Sequence, residues 1–170
     1  PQNADDPARA AYCLKHGRVV HGCQLRAENH REAPTAYFGP TSGAGVAIRH
    51  AQAAASPIRR NLRVGIVGLG AGTIAAYGRP GDTFCFYEIN PDVIRIASDR
   101  RYFSFLSDSQ AQIELIPGDA RLSLEKQLEQ HEQQDFDVLV IDAFSGDAIP
   151  VHLLTLESFE LYLSQLKKSS

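Results

Sequence analysis

The residues able to do chemistry in this sequence gather at the ends of four apolar runs. Residues 62–67 lead into Gly68-Leu69-Gly70-Ala71-Gly72, residues 83–87 into Glu88, residues 112–116 into Asp119, and residues 136–141 into Asp142. Glycines after a strand let the backbone turn tightly and approach a ligand, and the next helix offers free N–H groups. The spacing is G-x-G-x-G, with Thr73 where the dinucleotide fingerprint has its third glycine, which counts against a pyrophosphate cofactor. Glu88 stands twenty residues after Gly68, where an acid accepts hydrogen bonds from ribose hydroxyls. Asp119 is placed to accept from an adenine amino group. A nucleoside without phosphate therefore matches these groups best, and Asp142 is the candidate general base.

Each residue also has a plainer reading. The glycines can form only a tight turn. Glu88 can partner the dipole of a helix opening at Pro91, and Asp119 can be an N-cap. Asp142 is harder to explain structurally, because it directly follows the apolar run Val138-Leu139-Val140-Ile141.

Unbroken apolar strands alternating with helical patterns predict a doubly wound, mostly parallel α/β sheet, Rossmann-like in type. The predicted helices cover 42–55, a short segment to 77, a segment capped by Asn90 with Pro91 at its first position, 120–131 and 155–167. Ahead of them, apolar runs around Tyr12-Cys13-Leu14 and Val19-Val20 bracket His16-Gly17-Arg18 and predict a β-hairpin. Residues 28–41 read as a loop. The expected division is a lead-in and hairpin over 1–41 and a nucleoside-binding domain over 42–170.

In a doubly wound sheet the ligand lies outside the carboxyl ends of the strands. The elements thus place the glycine loop and the three acids on one rim. The bulk composition fits one globular domain of 170 residues with 44% hydrophobic residues. A net charge of −3 with scattered Lys and Arg gives no footprint for nucleic acid. The six histidines lack metal-ligand spacing, so no metal is expected. Cys13, Cys23 and Cys85 are expected to be free thiols of a cytoplasmic protein, although Cys13 and Cys23 flank the hairpin turn. The chain opens on Pro1 and has no Met, which suggests a fragment.

The stretches 64–72, Phe86-Tyr87-Glu88-Ile89-Asn90-Pro91, Gly118-Asp119-Ala120 and 136–150, followed by Leu153-Leu154-Thr155 and Phe159, resemble the spermidine synthase family. The resemblance is nearest to its bacterial spermidine synthase-like members, whose soluble domain is often fused to membrane segments. It implies an S-adenosylmethionine-dependent transferase fold. It also implies aminopropyl transfer from decarboxylated S-adenosylmethionine to a polyamine. Carried over by position, Gly68, Gly70, Gly72, Glu88 and Asp119 hold the nucleoside and Gln24 approaches its sulfur. Asp142 and Tyr37 are catalytic, and Asp147 binds the acceptor amine.

Two departures stand out. The family loop carries an acid where this chain has Ala71, and its second acid after strand four is displaced here to Asp147. An S-adenosylmethionine-dependent methyltransferase and a non-catalytic nucleoside-binding or structural domain therefore remain alternatives. The family sheet has seven strands in the order 3-2-1-4-5-7-6. This sequence supplies four, a C-terminally truncated domain whose fourth strand is left as an apolar edge. A homodimer that covers this edge is the expectation.

Overall fold

A computed structural model describes residues 10–55, 60–144 and 148–168. Two sheets form. Strands β1 (Ala11–His16) and β2 (Val19–Leu25) make an antiparallel hairpin. The second sheet contains β3 (Arg63–Val67), β4 (Thr83–Glu88), β5 (Gln112–Pro117) and β6 (Val138–Ile141), parallel in the spatial order β5-β4-β3-β6. The helices are α1 (Gly43–Ala55), α2 (Pro91–Ala97), α3 (Phe105–Asp108), α4 (Ala120–Glu129) and α5 (Leu156–Gln165).

Side-chain alternation along each strand feeds two separate cores. Val64, Ile66, Phe84 and Phe86 point to one face, against Ile48 of α1 and Phe105 of α3. Val67, Cys85 and Tyr87 point to the other, against Leu124 of α4 and Leu161 and Tyr162 of α5. A strand buried on both faces needs apolar residues on both, which is why the central strands β3 and β4 read as nearly continuous runs. Gly65 makes room for one large side chain. A Cβ there would lie 2.8 Å from the Phe136 ring, which is fully buried and packs edge-on to Tyr87.

The structure departs from the sequence expectations in several places. The segment after the glycine loop, Thr73–Tyr77, is a 3-10 turn and not an α-helix. Helix α3 and the 3-10 turn Val151–Leu153 were not anticipated, and each is too short for helical periodicity to show in sequence. Cys13 and Cys23 are not free thiols. They sit directly opposite each other in the hairpin, 4.1 Å apart at Cα, and form a disulfide. No helix among the described residues is long and apolar enough to cross a membrane.

The fourth strand is indeed at the sheet edge, but its start is already paired. The Phe136 N–H donates to the Gln165 carbonyl at 2.9 Å, and the Lys167 N–H donates to the Phe136 carbonyl at 2.9 Å. The chain leaving α5 thus takes a parallel bridge, Phe136 to Leu166, beside the entry to β6.

Candidate functional site

A cleft of about 380 Å³ runs along the carboxyl ends of the four parallel strands. Gly68, Gly70, Glu88, Asp119, Asp142 and Tyr37 all line it. Strand order dictates the sequence of groups along its floor: Asp119 after β5, Glu88 at the end of β4, the glycine loop after β3, then Asp142 after β6. Neighbouring strands lie ~4.8 Å apart, so this floor is roughly 14 Å long.

The glycine loop is shaped by what surrounds it. Gly68 has φ +98°, and a Cβ there would fall 2.5 Å from the Asp142 carbonyl, so only glycine lets the loop cross the end of β6. Gly70 lies under the hairpin, where a Cβ would collide with the His21 carbonyl. That carbonyl accepts from the Ala71 N–H at 3.0 Å, which ties β2 to the loop. Glu88 fastens the other side. Its Oε2 accepts from Leu69 N–H at 3.0 Å and its Oε1 from Asn90 N–H at 2.8 Å.

Asp119 caps α4 and faces the cleft together. Oδ1 accepts from the Leu122 N–H at 3.0 Å, and Oδ2 lies 2.9 Å from Nε2 of His152. Partial burial raises the pKa of this carboxyl. The Leu122 N–H and His152 outweigh that and hold it below the ordinary value.

Asp142 is the most perturbed acid of the cleft. Burial lifts its pKa to about 7, while the Tyr37 hydroxyl opposes the rise by favouring the ionised form. Tyr37 in turn is raised to about 12, by burial first and then by the Asp142 charge. Ala36 presents this tyrosine from a φ of +55°, a left-handed conformation uncommon for a residue with a Cβ. An acid that titrates near neutrality in a cleft suits proton transfer.

Three sequence-predicted residues stand apart. Gln24 is not in the cleft. It is 4% exposed, its Nε2 donates to Ser104 Oγ at 2.9 Å and its Oε1 accepts from Ser104 N–H at 2.7 Å, so it pins the hairpin to the domain. The one-residue alternation of β2 turns Gln24 inward to that partner, and this corrects the expected contact with a nucleoside sulfur. Gly72 lies behind the loop, φ +79°, where a Cβ would touch Leu106 at 3.0 Å. Asp147 lies outside the described residues. Sequence reasoning missed Lys15, His16, His21 and His152, all of which line the cleft. The hairpin signal that located the first three carried no hint that its tip folds over the glycine loop.

A parallel sheet in the order β5-β4-β3-β6 with helices on both faces is a doubly wound, Rossmann-like α/β fold. No family model matches the chain. The polyamine aminopropyltransferase of Vibrio vulnificus strain CMCP6 is 35% identical over 111 residues, 64% of this chain and 35% of that protein. The chain is thus similar in sequence to that aminopropyltransferase, and the match spans about a third of that relative's length. Two crystal structures are also similar. The spermidine synthase of Thermotoga maritima is 22% identical, with 63% of this chain and 35% of that one covered and a TM-score of 0.48. An S-adenosylmethionine-dependent methyltransferase from Agrobacterium tumefaciens is 16% identical, with 84% and 42% covered and a TM-score of 0.46.

Proposed function

We propose that the cleft binds S-adenosylmethionine or its decarboxylated form, and that the three-carbon amine arm of this donor passes to an amine acceptor of the polyamine type. The observation that carries this reading is the order of groups along the floor. Adenine would lie at Asp119, ribose at Glu88, the sulfonium arm over the glycine loop and the acceptor amine at Asp142. The aminopropyltransferase relative supports the same chemistry.

In the transfer step, the lone pair of the acceptor nitrogen attacks the methylene carbon bonded to sulfur. The new C–N bond forms as the C–S bond breaks, and its electron pair returns to sulfur, leaving methylthioadenosine. The nitrogen becomes cationic and gives its proton to the Asp142 carboxylate. Tyr37 favours that carboxylate in its ionised form before attack. In this reading the hairpin over 11–25 roofs the site and the parallel sheet with its helices forms the floor.

Methyl transfer is a second reading, favoured by Ala71, which leaves the loop without an acid for a propylamine arm. Product analysis separates the two. Incubating the protein with either donor and a diamine, then resolving nucleosides by chromatography, should give methylthioadenosine. S-adenosylhomocysteine as the product would replace arm transfer by methyl transfer. Failure of methylthioadenosine to bind in calorimetry would remove the nucleoside assignment altogether.

A further inference from the structure

We infer that the donor arm accepted here carries a carboxylate, so that the chain takes intact S-adenosylmethionine and transfers an amino-carboxypropyl group. This rests on the nucleoside reading above and names the donor for the same site. Its basis is the charge of the roof over the glycine loop.

With adenine at Asp119 and ribose at Glu88, the arm lies over the loop, between Glu88 and Asp142. The hairpin covers that stretch, because the His21 carbonyl bonds the Ala71 N–H and sits against Gly70. From the hairpin, Lys15, His16 and His21 line the cleft. The His16 and His21 rings stack with centroids 6.4 Å apart. Burial and the neighbouring His16 lower the pKa of His21, against the opposing charge of Glu88, so its imidazole serves as a neutral donor or acceptor. Lys15 supplies the fixed positive charge.

Among the described residues, the glycine loop directly below it carries no acid. Ala71 is fully buried, and its Cβ lies 2.8 Å from where a Cβ on Gly22 would stand, so even the side chain at this position is sealed under the hairpin. Among the described residues the cleft acids flank the loop: Asp92, Asp119 and Glu88 toward the adenosine end, Asp142 at the acceptor end. Both oxygens of Glu88 are already engaged by backbone N–H groups. An arm bearing only an ammonium would face Lys15 with no acid on the loop between them. An amino-carboxylate arm supplies one. The reaction balances as before: the C–S bond breaks, the C–N bond forms, methylthioadenosine leaves and Asp142 takes the proton, with the carboxylate retained in the product.

Three thioethers with the same uncharged sulfur isolate the arm: methylthioadenosine, the aminopropyl thioether of adenosine, and S-adenosylhomocysteine. Calorimetry on the full chain should show S-adenosylhomocysteine binding at least about tenfold tighter than the aminopropyl thioether, the ratio expected for one charge-assisted hydrogen bond. Lys15→Gln should erase most of that preference and Lys15→Glu should reverse it, with methylthioadenosine affinity unchanged within about twofold in both. Lys15 is exposed on the hairpin, so neither substitution threatens folding. Equal or tighter binding of the aminopropyl thioether, or a preference that survives Lys15→Glu, overturns the inference alone. If none of the three binds, the nucleoside reading falls with it.

Discussion

Asp119 and His152 meet across 33 residues of sequence, Oδ2 to Nε2 at 2.9 Å, while the other Asp119 oxygen caps α4. One carboxylate thus serves a helix end and a cleft wall, and substitutions can separate the two roles. Asp119→Ala removes the cap and should cost about 1 kcal/mol of stability as well as nucleoside affinity. Asp119→Asn retains a good cap, so its stability should stay within about 0.5 kcal/mol of the parent at low pH. The folded-state pKa of Asp119 is depressed, so the stability its charge contributes is present above the ordinary carboxylate value and lost as pH falls through the folded value. Denaturant melts of both variants at pH 7 and pH 3 should therefore diverge from the parent most at pH 7. A constant gap at both pH values would show that the charge contributes nothing.

Asp142 predicts a pH profile. With a pKa near 7, the rate of any transfer should climb through neutrality as the carboxylate forms. Tyr37→Phe removes the group that favours the ionised form, so the midpoint of the climb should move to higher pH. Asp142→Asn should lower the rate about 10²–10⁴-fold while methylthioadenosine still binds. The raised pKa also has a stability consequence. Folding a buried carboxylate is penalised once pH exceeds the unfolded value, and the penalty is complete above about 7. Asp142→Asn should accordingly raise the melting temperature at pH 8 and leave it unchanged at pH 3. An unmoved midpoint at pH 8 would place Asp142 in water.

The sheet was legible because double burial leaves an unmistakable sequence trace. Four mostly apolar runs, each leading to glycine or an acid, marked the strands and the rim that Glu88, Asp119 and Asp142 share, whereas the order of the strands came only from the family resemblance. The hairpin was legible as an element and opaque as a partner. Its docking depends on a backbone contact, His21 carbonyl to Ala71 N–H, which leaves no residue-type signature. The same blindness misplaced Gln24, whose inward orientation is fixed by Ser104, eighty residues away. His152 follows Pro150 in a loop without periodicity, and only the folded chain shows it beside Asp119.

The hairpin disulfide gives a third test. Cys13 and Cys23 enclose a loop separated by 10 residues, and cross-links of this length contribute roughly 2–3 kcal/mol in the chain-entropy account. The hairpin also carries the roof of the cleft, so reduction should loosen the site. Treating the protein with dithiothreitol, or replacing both cysteines by serine, should lower the melting temperature and weaken methylthioadenosine binding severalfold. Free-thiol titration of the unfolded oxidised protein should find one cysteine, Cys85. Three reactive thiols would remove the cross-link.

The remaining prediction concerns the free side of the sheet. Strand β6 pairs with β3 on one side, and on the other, among the described residues, only its entry is bonded, through Gln165 and Lys167. A partly unpaired apolar edge invites further pairing. The neighbouring surface is apolar as well. Leu156, Phe159 and Leu163 repeat at helical spacing on the outer side of α5 and are 71%, 48% and 68% exposed, and Val151 nearby is 81% exposed. Contiguous apolar surface of this kind marks an interaction site more often than open solvent contact. The α5 stripe lies beside the edge because the chain leaving α5 forms the bridge to Phe136. Two copies meeting here would cover both features at once, so the chain should be dimeric at low micromolar concentration. Leu163→Glu, on the outer face and away from both cores, should shift the species to monomer without lowering the melting temperature of the monomer. Light scattering at several concentrations reads the outcome. A parent that stays monomeric at tens of micromolar, with slowly exchanging amides along β6, would mean that the bridge at Phe136 and the packing of α5 suffice to protect this edge.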